Sequence, residues 1–308
     1  MISIIFPTYN EEGNLDALFQ KLTEVTNRIS GEPFEFIFVD DCSNDQTPDI
    51  LQRLQAKDGR VKVIRFARNC GSHAAVAAGL HHCRGLCAII LAADLQDPPE
   101  IIVKMIEEWK KGAKIVWGTR LKRKGESAQT QFLSRLYYQL VNWLTTVKMP
   151  PVGTDVFLAD RDVINAFKGV AEKHTSIFMT LAWLGFPQKS VDYIKEARFK
   201  GKTKWTLARK IKLTLDSILA FSDLPIRYMS VVGFITAFIG FLYALFILWK
   251  NIFLGNPVQG WSSLMVALLV VGGIQMMMLG ILGEYLWRTF DESRRRPRYV
   301  IEYKRGLD

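Results

Sequence analysis

Up to residue 120, short apolar runs alternate with longer segments in which apolar residues recur at helical spacing. The runs are rich in β-branched and aromatic residues, and they predict strands at residues 2–6, 34–39, 61–66, 87–92 and 115–118. The segments between them predict helices at residues 14–29, 47–56, 73–83 and 98–110. Strands that are apolar throughout and alternate with helices are typical of a parallel sheet covered on both faces. The pattern therefore predicts an α/β fold, with its first strand stopped at Pro7.

Beyond residue 120 this alternation weakens, and two segments with helical spacing stand out at residues 132–144 and 205–221. Each could lie in the headgroup region of a membrane as an interfacial helix, or could pack against the α/β domain. The first segment favours neither interpretation. The second favours the membrane, because basic residues occupy its polar face.

Two apolar runs without charged residues, at residues 228–249 and 261–282, predict membrane-spanning helices. A helix needs about 20 residues to cross the hydrocarbon core, because each residue adds about 1.5 Å. The short connector contains Gly255, Asn256 and Pro257, so the two helices are expected to form an antiparallel hairpin. Close helix approach is possible at Gly272, Gly273, Gly280 and Gly283, which suits either the hairpin or a homo-oligomer.

The positive charges of the chain cluster on both sides of these two runs. They are Lys195, Arg198, Lys200, Lys202, Lys204, Arg209, Lys210, Lys212 and Arg227 before the first run, and Arg288, Arg294, Arg295, Arg296 and Arg298 after the second. The connector carries only Lys250, so both termini are expected on the cytoplasmic side of a cell (inner) membrane, as in a multi-pass protein. The net charge of +10 is therefore attributed to anionic headgroups rather than to nucleic acid, which is not an expected partner.

Polar residues that could carry chemistry follow the predicted strands. They are Tyr9, Asn10 and Glu11 after the first strand, Asp40 and Asp41 after the second, Arg68 and Asn69 after the third, Asp94, Gln96 and Asp97 after the fourth, and Thr119 and Arg120 after the fifth. In an open parallel sheet, ligands bind outside the carboxyl ends of the strands. The sequence has no Rossmann glycine fingerprint, no P-loop and no G-x-S-x-G elbow, which argues against dehydrogenase, ATPase and serine hydrolase activities.

Asp94, Gln96 and Asp97 could supply oxygen ligands to one hard divalent ion. Mg²⁺ commonly takes one or two carboxylates and completes its octahedron with phosphate oxygens and water. Such an ion neutralises charge on a departing diphosphate, so the group suits a nucleotide-diphosphate donor. The alternative is that Asp97, which precedes Pro98, only caps the next helix.

Five motifs in order carry a resemblance to a known family. They are Phe6-Pro7-Thr8-Tyr9-Asn10-Glu11-Glu12, Val39-Asp40-Asp41-Cys42-Ser43, Arg68-Asn69-Cys70-Gly71, Ala93-Asp94-Leu95-Gln96-Asp97-Pro98-Pro99 and Gly201-Lys202-Thr203-Lys204-Trp205. The chain resembles family 2 glycosyltransferases with the GT-A fold. With its two C-terminal spans it is similar to the polyprenyl-phosphate glycosyltransferases, the group of dolichyl-phosphate mannose synthase and the bactoprenol glucosyltransferases.

The resemblance implies an inverting transfer of a sugar from a nucleotide sugar, with UDP the expected nucleotide, to a polyprenyl phosphate on the cytoplasmic leaflet. Mg²⁺ or Mn²⁺ is the expected cofactor. The implied organisation is a cytoplasmic GT-A catalytic domain with a Rossmann-like, mostly parallel sheet at residues 1–200, a juxtamembrane amphipathic helix at 201–225, two transmembrane helices within 226–287 and a cytoplasmic basic tail at 288–308.

The resemblance also implies roles for individual residues. Those expected to bind the nucleotide sugar are Pro7, Tyr9, Glu11, Asp40, Asp94, Gln96 and Lys204, and those expected to bind the diphosphate or the lipid phosphate are Arg120, Arg198 and Lys204. The implied metal ligands are Asp94 and Gln96, and the implied catalytic residues are Asp155, Asp94 and Arg120. Because the acceptor is already an anionic phosphate, positioning and charge neutralisation are expected to matter more than general base catalysis.

The chain departs from the family pattern at three places. Ala92 stands where an acid is usual, Ser72-His73 replaces Lys-Glu, and Phe157 replaces an arginine. One alternative is therefore a non-catalytic membrane scaffold or regulator that retains the fold. Another is a polysaccharide synthase, although the acceptor motif Gln-x-x-Arg-Trp is absent. His73 is expected either to contact the sugar or a phosphate, or to pack at the start of its helix.

Overall fold

The computed structural model describes residues 1–123, 156–170, 176–196, 222, 224–254 and 260–307. The chain divides into two compact units, one of Met1–Ser217 with Pro297–Asp308 and one of Ile218–Arg296. The helices predicted at residues 132–144 and 205–221 lie outside the described residues, as does almost all of the predicted juxtamembrane helix.

The described part of the first unit contains one sheet of eight strands, in the order β7-β5-β6-β4-β1-β2-β3-β8. The strands are β1 (Ile2–Thr8), β2 (Phe34–Asp40), β3 (Val61–Phe66), β4 (Cys87–Ile90), β5 (Ile115–Arg123), β6 (Val156–Asp160), β7 (Gln188–Lys195) and β8 (Ile301–Arg305). Only β6 and β8 run antiparallel to their neighbours. The sheet is thus mostly parallel, as predicted.

Helices cover both faces of this sheet, which confirms the predicted layers. They are α1 (Leu15–Asn27), α2 (Thr47–Lys57), α3 (Ser72–His82), α4 (Ile101–Lys110), α5 (Arg161–Lys168) and α6 (Ile177–Trp183). Ile4 of β1 lies in a buried cluster with apolar residues of α1, α2 and α4. Ile5 points to the opposite face, where it packs against Gly79 of α3. Alternate residues of one strand therefore face different helices.

The first strand continues through Pro7 to Thr8, so the prediction that Pro7 stops it is wrong. Ile5 accepts a backbone hydrogen bond from Leu91 on the β4 side, at 3.1 Å. Pro7 faces the same side two residues later, where the ladder between β1 and β4 has already ended. The missing N–H of the proline therefore costs no ladder hydrogen bond.

The C-terminal strand β8 was not predicted. It pairs antiparallel with β3 at the edge of the sheet, with Val63 opposite Arg305 and Arg65 opposite Tyr303. Its short sequence Ile-Glu-Tyr-Lys-Arg has charged residues on one face and follows a basic run, so it reads as a tail. Pairing with β3 buries what would be an open edge strand.

The second unit contains two long apolar helices, as predicted. They are α7 (Leu224–Leu254) and α8 (Trp261–Ser293), of 31 and 33 residues, and both extend beyond the predicted runs. Each is roughly 45–50 Å long, and each contains a stretch that is long and apolar enough to cross a bilayer. Large apolar side chains are exposed along both, including Phe234 at 73% and Leu264 at 71%.

Candidate functional site

The crevice where a ligand would bind lies between the carboxyl ends of β1 and β4. These strands are neighbours, but the chain leaves β1 toward β2 and β3 on one side, while β6, β5 and β7 lie beyond β4 on the other. Such a reversal of strand order opens a gap between the connecting segments. The loops that flank it are residues 9–14 after β1 and residues 91–100 after β4.

The loops after β1 and β2 are tied together by hydrogen bonds. The Asn10 backbone N–H donates to Ser43 Oγ at 2.9 Å, and Asn44 N–H donates to Asn10 Oδ1 at 2.9 Å. Glu11 N–H donates to Thr47 Oγ1 at 2.8 Å. Asn10 has a φ of 52°, a left-handed conformation that asparagine tolerates better than most residues. The segment predicted to hold the nucleoside is therefore a preformed double loop.

Glu11 and Tyr9 lie in this double loop, and both are partly buried. The Glu11 carboxylate accepts a hydrogen bond from Asn14 Nδ2 at 2.6 Å. Asn14 immediately precedes α1, so Glu11 also shapes the entry into that helix.

Asp40 lies at the end of β2 and is fully buried. One carboxylate oxygen accepts the Ser43 backbone N–H at 3.1 Å, and the other pairs with the guanidinium of Arg65 on β3. Each oxygen has a second lone pair. Asp40 therefore organises the turn at residues 40–43 through these two contacts.

Arg65 contacts three other residues of the site, and its role was not predicted from the sequence. Beyond its pair with Asp40, its Nη2 donates to the Ser43 carbonyl at 3.1 Å and its Nε donates to Glu302 of β8 at 2.9 Å. Burial disfavours the charge on Arg65, but the nearby Asp40 and Glu302 carboxylates outweigh burial and raise the pKa of the guanidinium. Glu302 lies 237 positions from Arg65, so no spacing in the sequence signals this contact.

Asp41, the next acid, holds the loop between β3 and α3. Its two oxygens accept the backbone N–H groups of Cys70 at 2.6 Å and Gly71 at 2.8 Å. Burial raises the pKa of Asp41, and the two N–H groups partly oppose that effect. Gly71 has a φ of 89°, which side-chain-bearing residues rarely adopt.

Asp94 and Gln96 lie in a tight turn after β4, and both are nearly buried. The Gln96 N–H donates to Asp94 Oδ1 at 3.2 Å. Between them, Leu95 has a φ of 58°, which is a strained conformation for leucine. This turn holds the two oxygen-bearing residues on either side of Leu95 at the same end of β4.

The end of β7 supports this turn. Asp97 accepts a hydrogen bond from the Tyr193 hydroxyl at 2.7 Å and pairs with Lys195 at 3.5 Å. Glu196 N–H donates to the Gln96 carbonyl at 2.9 Å. Asp97 thus anchors the turn to β7, whereas α4 begins only at Ile101. Lys195 is buried, so the prediction that it belongs with the membrane-flanking cations is wrong.

The donor set fits a hard divalent ion. Asp94 offers a carboxylate and Gln96 an amide oxygen, which Mg²⁺ and Mn²⁺ accept. Among the described residues no group of three or more His, Cys, Asp or Glu side chains could hold a metal ion. A metal bound at this turn would have coordination positions left for water and for the oxygens of a diphosphate.

Arg120 lies on β5 opposite Tyr193, on the same side of the crevice as the Asp94 turn. Asp155, Arg198 and Lys204 lie outside the described residues. The residue after Asp155 begins β6 and pairs with Gly118, in the middle of β5.

Two of the departures from the family pattern meet in one apolar cluster. Phe178 contacts His73 edge-on at 5.8 Å and Phe157 at 5.5 Å between ring centroids. Trp117 packs on Phe157 at 5.8 Å. His73 Nδ1 accepts the Ile177 N–H at 3.4 Å, which requires a neutral acceptor nitrogen. Burial, with a smaller effect of Arg298, lowers the pKa of His73 to about 4. His73 therefore packs against Phe178 at the start of α3, and its contact with a sugar or phosphate stays a prediction.

The model of the family described as "Glycosyl transferase family 2" matches residues 3–167. An uncharacterized glycosyltransferase, YkcC of Bacillus subtilis (strain 168), is 37% identical over 306 residues, covering 99% of this chain and 94% of the relative. The bactoprenol glucosyl transferase of Shigella phage SfV is 33% identical over 301 residues and 98% of both chains. Among solved structures, the mannosyltransferase PcManGT of Pyrobaculum calidifontis with GDP-Man and Mn²⁺ gives a TM-score of 0.48 at 16% identity, over 68% of this chain and 60% of that one.

Proposed function

This chain belongs to glycosyl transferase family 2, and we propose that it transfers a sugar from a nucleotide diphosphate sugar to a polyprenyl phosphate at the cytoplasmic face of a membrane. The observation that carries this proposal is the strained turn of Asp94 and Gln96 at the point where strand order reverses. The double loop that follows β1 and β2 lies at the same crevice, so the crevice has a metal-compatible turn on the β4 side and the loop predicted to hold the nucleoside on the β1 side.

The nucleoside would bind against the double loop, where Pro7, Tyr9 and Glu11 line the end of β1 and its loop. Asp40 would act chiefly through the turn that it organises with Ser43. Because this loop is already fixed by hydrogen bonds, binding the nucleoside would require little ordering of the backbone. UDP is the expected nucleotide.

The diphosphate would face the Asp94 turn. Mg²⁺ or Mn²⁺ held by Asp94 and Gln96 would neutralise charge on the departing nucleoside diphosphate. Arg120 on β5, with Arg198 and Lys204, would add fixed positive charge around the two sets of phosphates. Tyr193 and Lys195 would keep the turn in place through Asp97.

The acceptor phosphate is a nucleophile that carries negative charge at neutral pH, so the enzyme must position it more than deprotonate it. Asp155 would orient the acceptor. In an inverting reaction the phosphate oxygen attacks the anomeric carbon from the side opposite to the leaving diphosphate. The bond to the diphosphate breaks as the bond to the lipid phosphate forms.

The apolar helices α7 and α8 support a lipid acceptor. Their large exposed side chains need an apolar environment, which a bilayer supplies. A relative aligned over nearly the full length is named for bactoprenol, a polyprenyl lipid. A membrane anchor would keep the catalytic unit in the same two-dimensional space as this acceptor.

The main alternative is a scaffold that has lost activity, which the departures at Ala92 and Phe157 would suggest. Phe157 is instead packed with His73 and Phe178 in one well-formed cluster. Replacement of charged residues by this cluster is a change of packing, and Asp94 and Gln96 still offer oxygen ligands although Ala92 does not. We therefore favour the enzyme.

The test is product formation by the full chain in detergent, with undecaprenyl phosphate, Mg²⁺ or Mn²⁺ and a panel of UDP- and GDP-sugars. Lipid-linked sugar is expected with one donor, and Asp94→Asn is expected to reduce its rate by about 100-fold or more. Asp16→Asn is the matched control, because Asp16 is an exposed carboxylate of α1 paired with Arg53. Nucleotide binding without turnover in the wild-type protein would instead support the scaffold.

A further inference from the structure

Strands β3 and β8, at one edge of the sheet, meet at one partly buried guanidinium. Arg65 of β3 contacts Asp40 and the Ser43 carbonyl on one side, and Glu302 of β8 on the other. The Arg65 side chain is 16% exposed and that of Glu302 is 52% exposed. Accessibility therefore falls from Glu302 through Arg65 to the buried Asp40.

The inner end of the network leads directly to the candidate nucleoside site. Arg65 fixes the Ser43 carbonyl, and the hydroxyl of the same serine accepts the Asn10 N–H at 2.9 Å. Asn10 lies between Tyr9 and Glu11, which are predicted to hold the nucleoside. A shift of the guanidinium would thus be transmitted through two hydrogen bonds to the β1 loop.

Strand β8 is anchored independently of Glu302. The Ala67 N–H donates to the Val300 carbonyl at 2.9 Å, and Tyr299 stacks on Phe66 with ring centroids 4.9 Å apart and planes at 10°. The ladder with β3 adds the remaining contacts. Replacing the Glu302 carboxylate should therefore leave the strand in place.

We propose that Glu302 and Arg65 are positioning residues for nucleotide binding, so that the strand following the second apolar helix sets the geometry of the nucleoside end of the site. The inference rests on the proposed function, because it takes the crevice beside Asn10 to be the nucleotide site. Glu302 holds the orientation of the Arg65 side chain, and Arg65 fixes the turn at residues 40–43. This turn then fixes the loop at residues 9–11.

The chain offers a matched control on the same strand. Lys304 lies two residues from Glu302, on the same face of β8, and is also exposed. Glu302→Gln and Lys304→Gln each remove one charge from this face. Only the first removes a charge that Arg65 contacts.

The experiment measures the dissociation constants of UDP and GDP, each with Mg²⁺, for the full chain in detergent. For the nucleotide that binds, Glu302→Gln is expected to weaken binding about two- to fivefold, since a half-exposed ion pair is worth little more. Arg65→Lys is expected to weaken it about tenfold, because an ammonium cannot reach all three partners. Lys304→Gln is expected to bind as the wild type does.

Two further readouts separate positioning from general stability. The double variant Arg65→Lys/Glu302→Gln should bind no more weakly than Arg65→Lys alone, since the two residues act in series. In turnover, KM for the donor should rise while kcat stays near the wild-type value. Equal affinities for Glu302→Gln and Lys304→Gln, or a lower thermal midpoint with unchanged affinity, would overturn the inference.

The failure of this inference is distinguishable from the failure of the proposed function. If wild-type protein forms lipid-linked sugar but the Glu302 and Lys304 variants bind nucleotide alike, only the positioning role is wrong. If the wild-type protein binds neither nucleotide and forms no product, the proposed function and the positioning role both fall.

Discussion

At the scale of single residues, the candidate site depends on buried groups whose partners lie far away in the sequence. The strand-end acids and Gln96 could be placed at one rim from their positions alone, because parallel strands end at the same edge. The residues that hydrogen-bond or form ion pairs with them could not be placed in this way. Arg65, Tyr193 and Lys195 are ordinary strand residues in the sequence, and only the order of the strands brings them to the site.

His73 should make stability depend on pH. Its pKa is about 4 in the folded protein and about 6.5 when unfolded, so between these values the unfolded chain binds more protons. The stabilising effect is complete above about pH 6.5 and is lost as the pH falls toward 4, by up to about 3 kcal/mol.

The thermal midpoint between pH 7.5 and pH 5 measures this effect. His73→Gln, which cannot titrate, should lose less stability than the wild type over the same interval. An identical loss in both proteins would show that the fold does not hold His73 neutral over this interval.

Lys195 should matter for stability through its buried pair with Asp97. Lys195→Met leaves the Asp97 carboxylate buried with less compensation, so it should destabilise the first unit by about 3 kcal/mol. Adding Asp97→Asn to that variant should restore part of the loss. Thermal midpoints of the wild type, the single variant and the double variant measure both effects, and no recovery in the double variant would argue against a buried ion pair.

At the scale of elements, hydrophobic patterning predicted the first five strands and four helices well, because each element is apolar enough to show its own period. Strands β6, β7 and β8 were not predicted. Strand β6 follows a long segment without clear alternation, and β8 is short with charges on one face. Both are antiparallel and are formed by pairing with strands remote in sequence, which no local pattern records.

The packing of α3 on β1 makes a sharp test of the fold. A Cβ added at Gly79 would overlap the Cγ2 of Ile5, which is fully buried. Gly79→Ala should therefore destabilise the protein by about 1–3 kcal/mol, despite the better helix propensity of alanine.

Gly59→Ala is the control for this substitution, since nothing lies within 4 Å of its added Cβ. Its thermal midpoint should stay near that of the wild type. If Gly79→Ala were equally neutral, α3 would not pack on β1 as closely as described.

At the scale of the whole molecule, the chain combines a family 2 catalytic unit with two helices long and apolar enough to span a bilayer. The helices were evident from composition, although their bounds were not, since helical geometry continues past the apolar runs to Leu254 and Ser293. The return of the chain to the sheet as β8 was not evident.

Membrane attachment through these helices has a direct check. Because their apolar side chains are exposed, the protein should remain in the membrane fraction after high salt and alkaline carbonate, and detergent should extract it. High salt screens attraction between basic residues and headgroups. Release by salt would show that the basic residues hold the protein at the surface without spanning helices.

The most direct test of sugar transfer to a lipid phosphate is the mass of the lipid after reaction with the active donor. The enzyme is compared with undecaprenyl phosphate, with uncharged undecaprenol and without lipid. Only the phosphate lipid should gain the mass of one sugar residue, with one nucleoside diphosphate released per product. Equal nucleotide release in all three reactions, with no change in lipid mass, would contradict transfer to a polyprenyl phosphate.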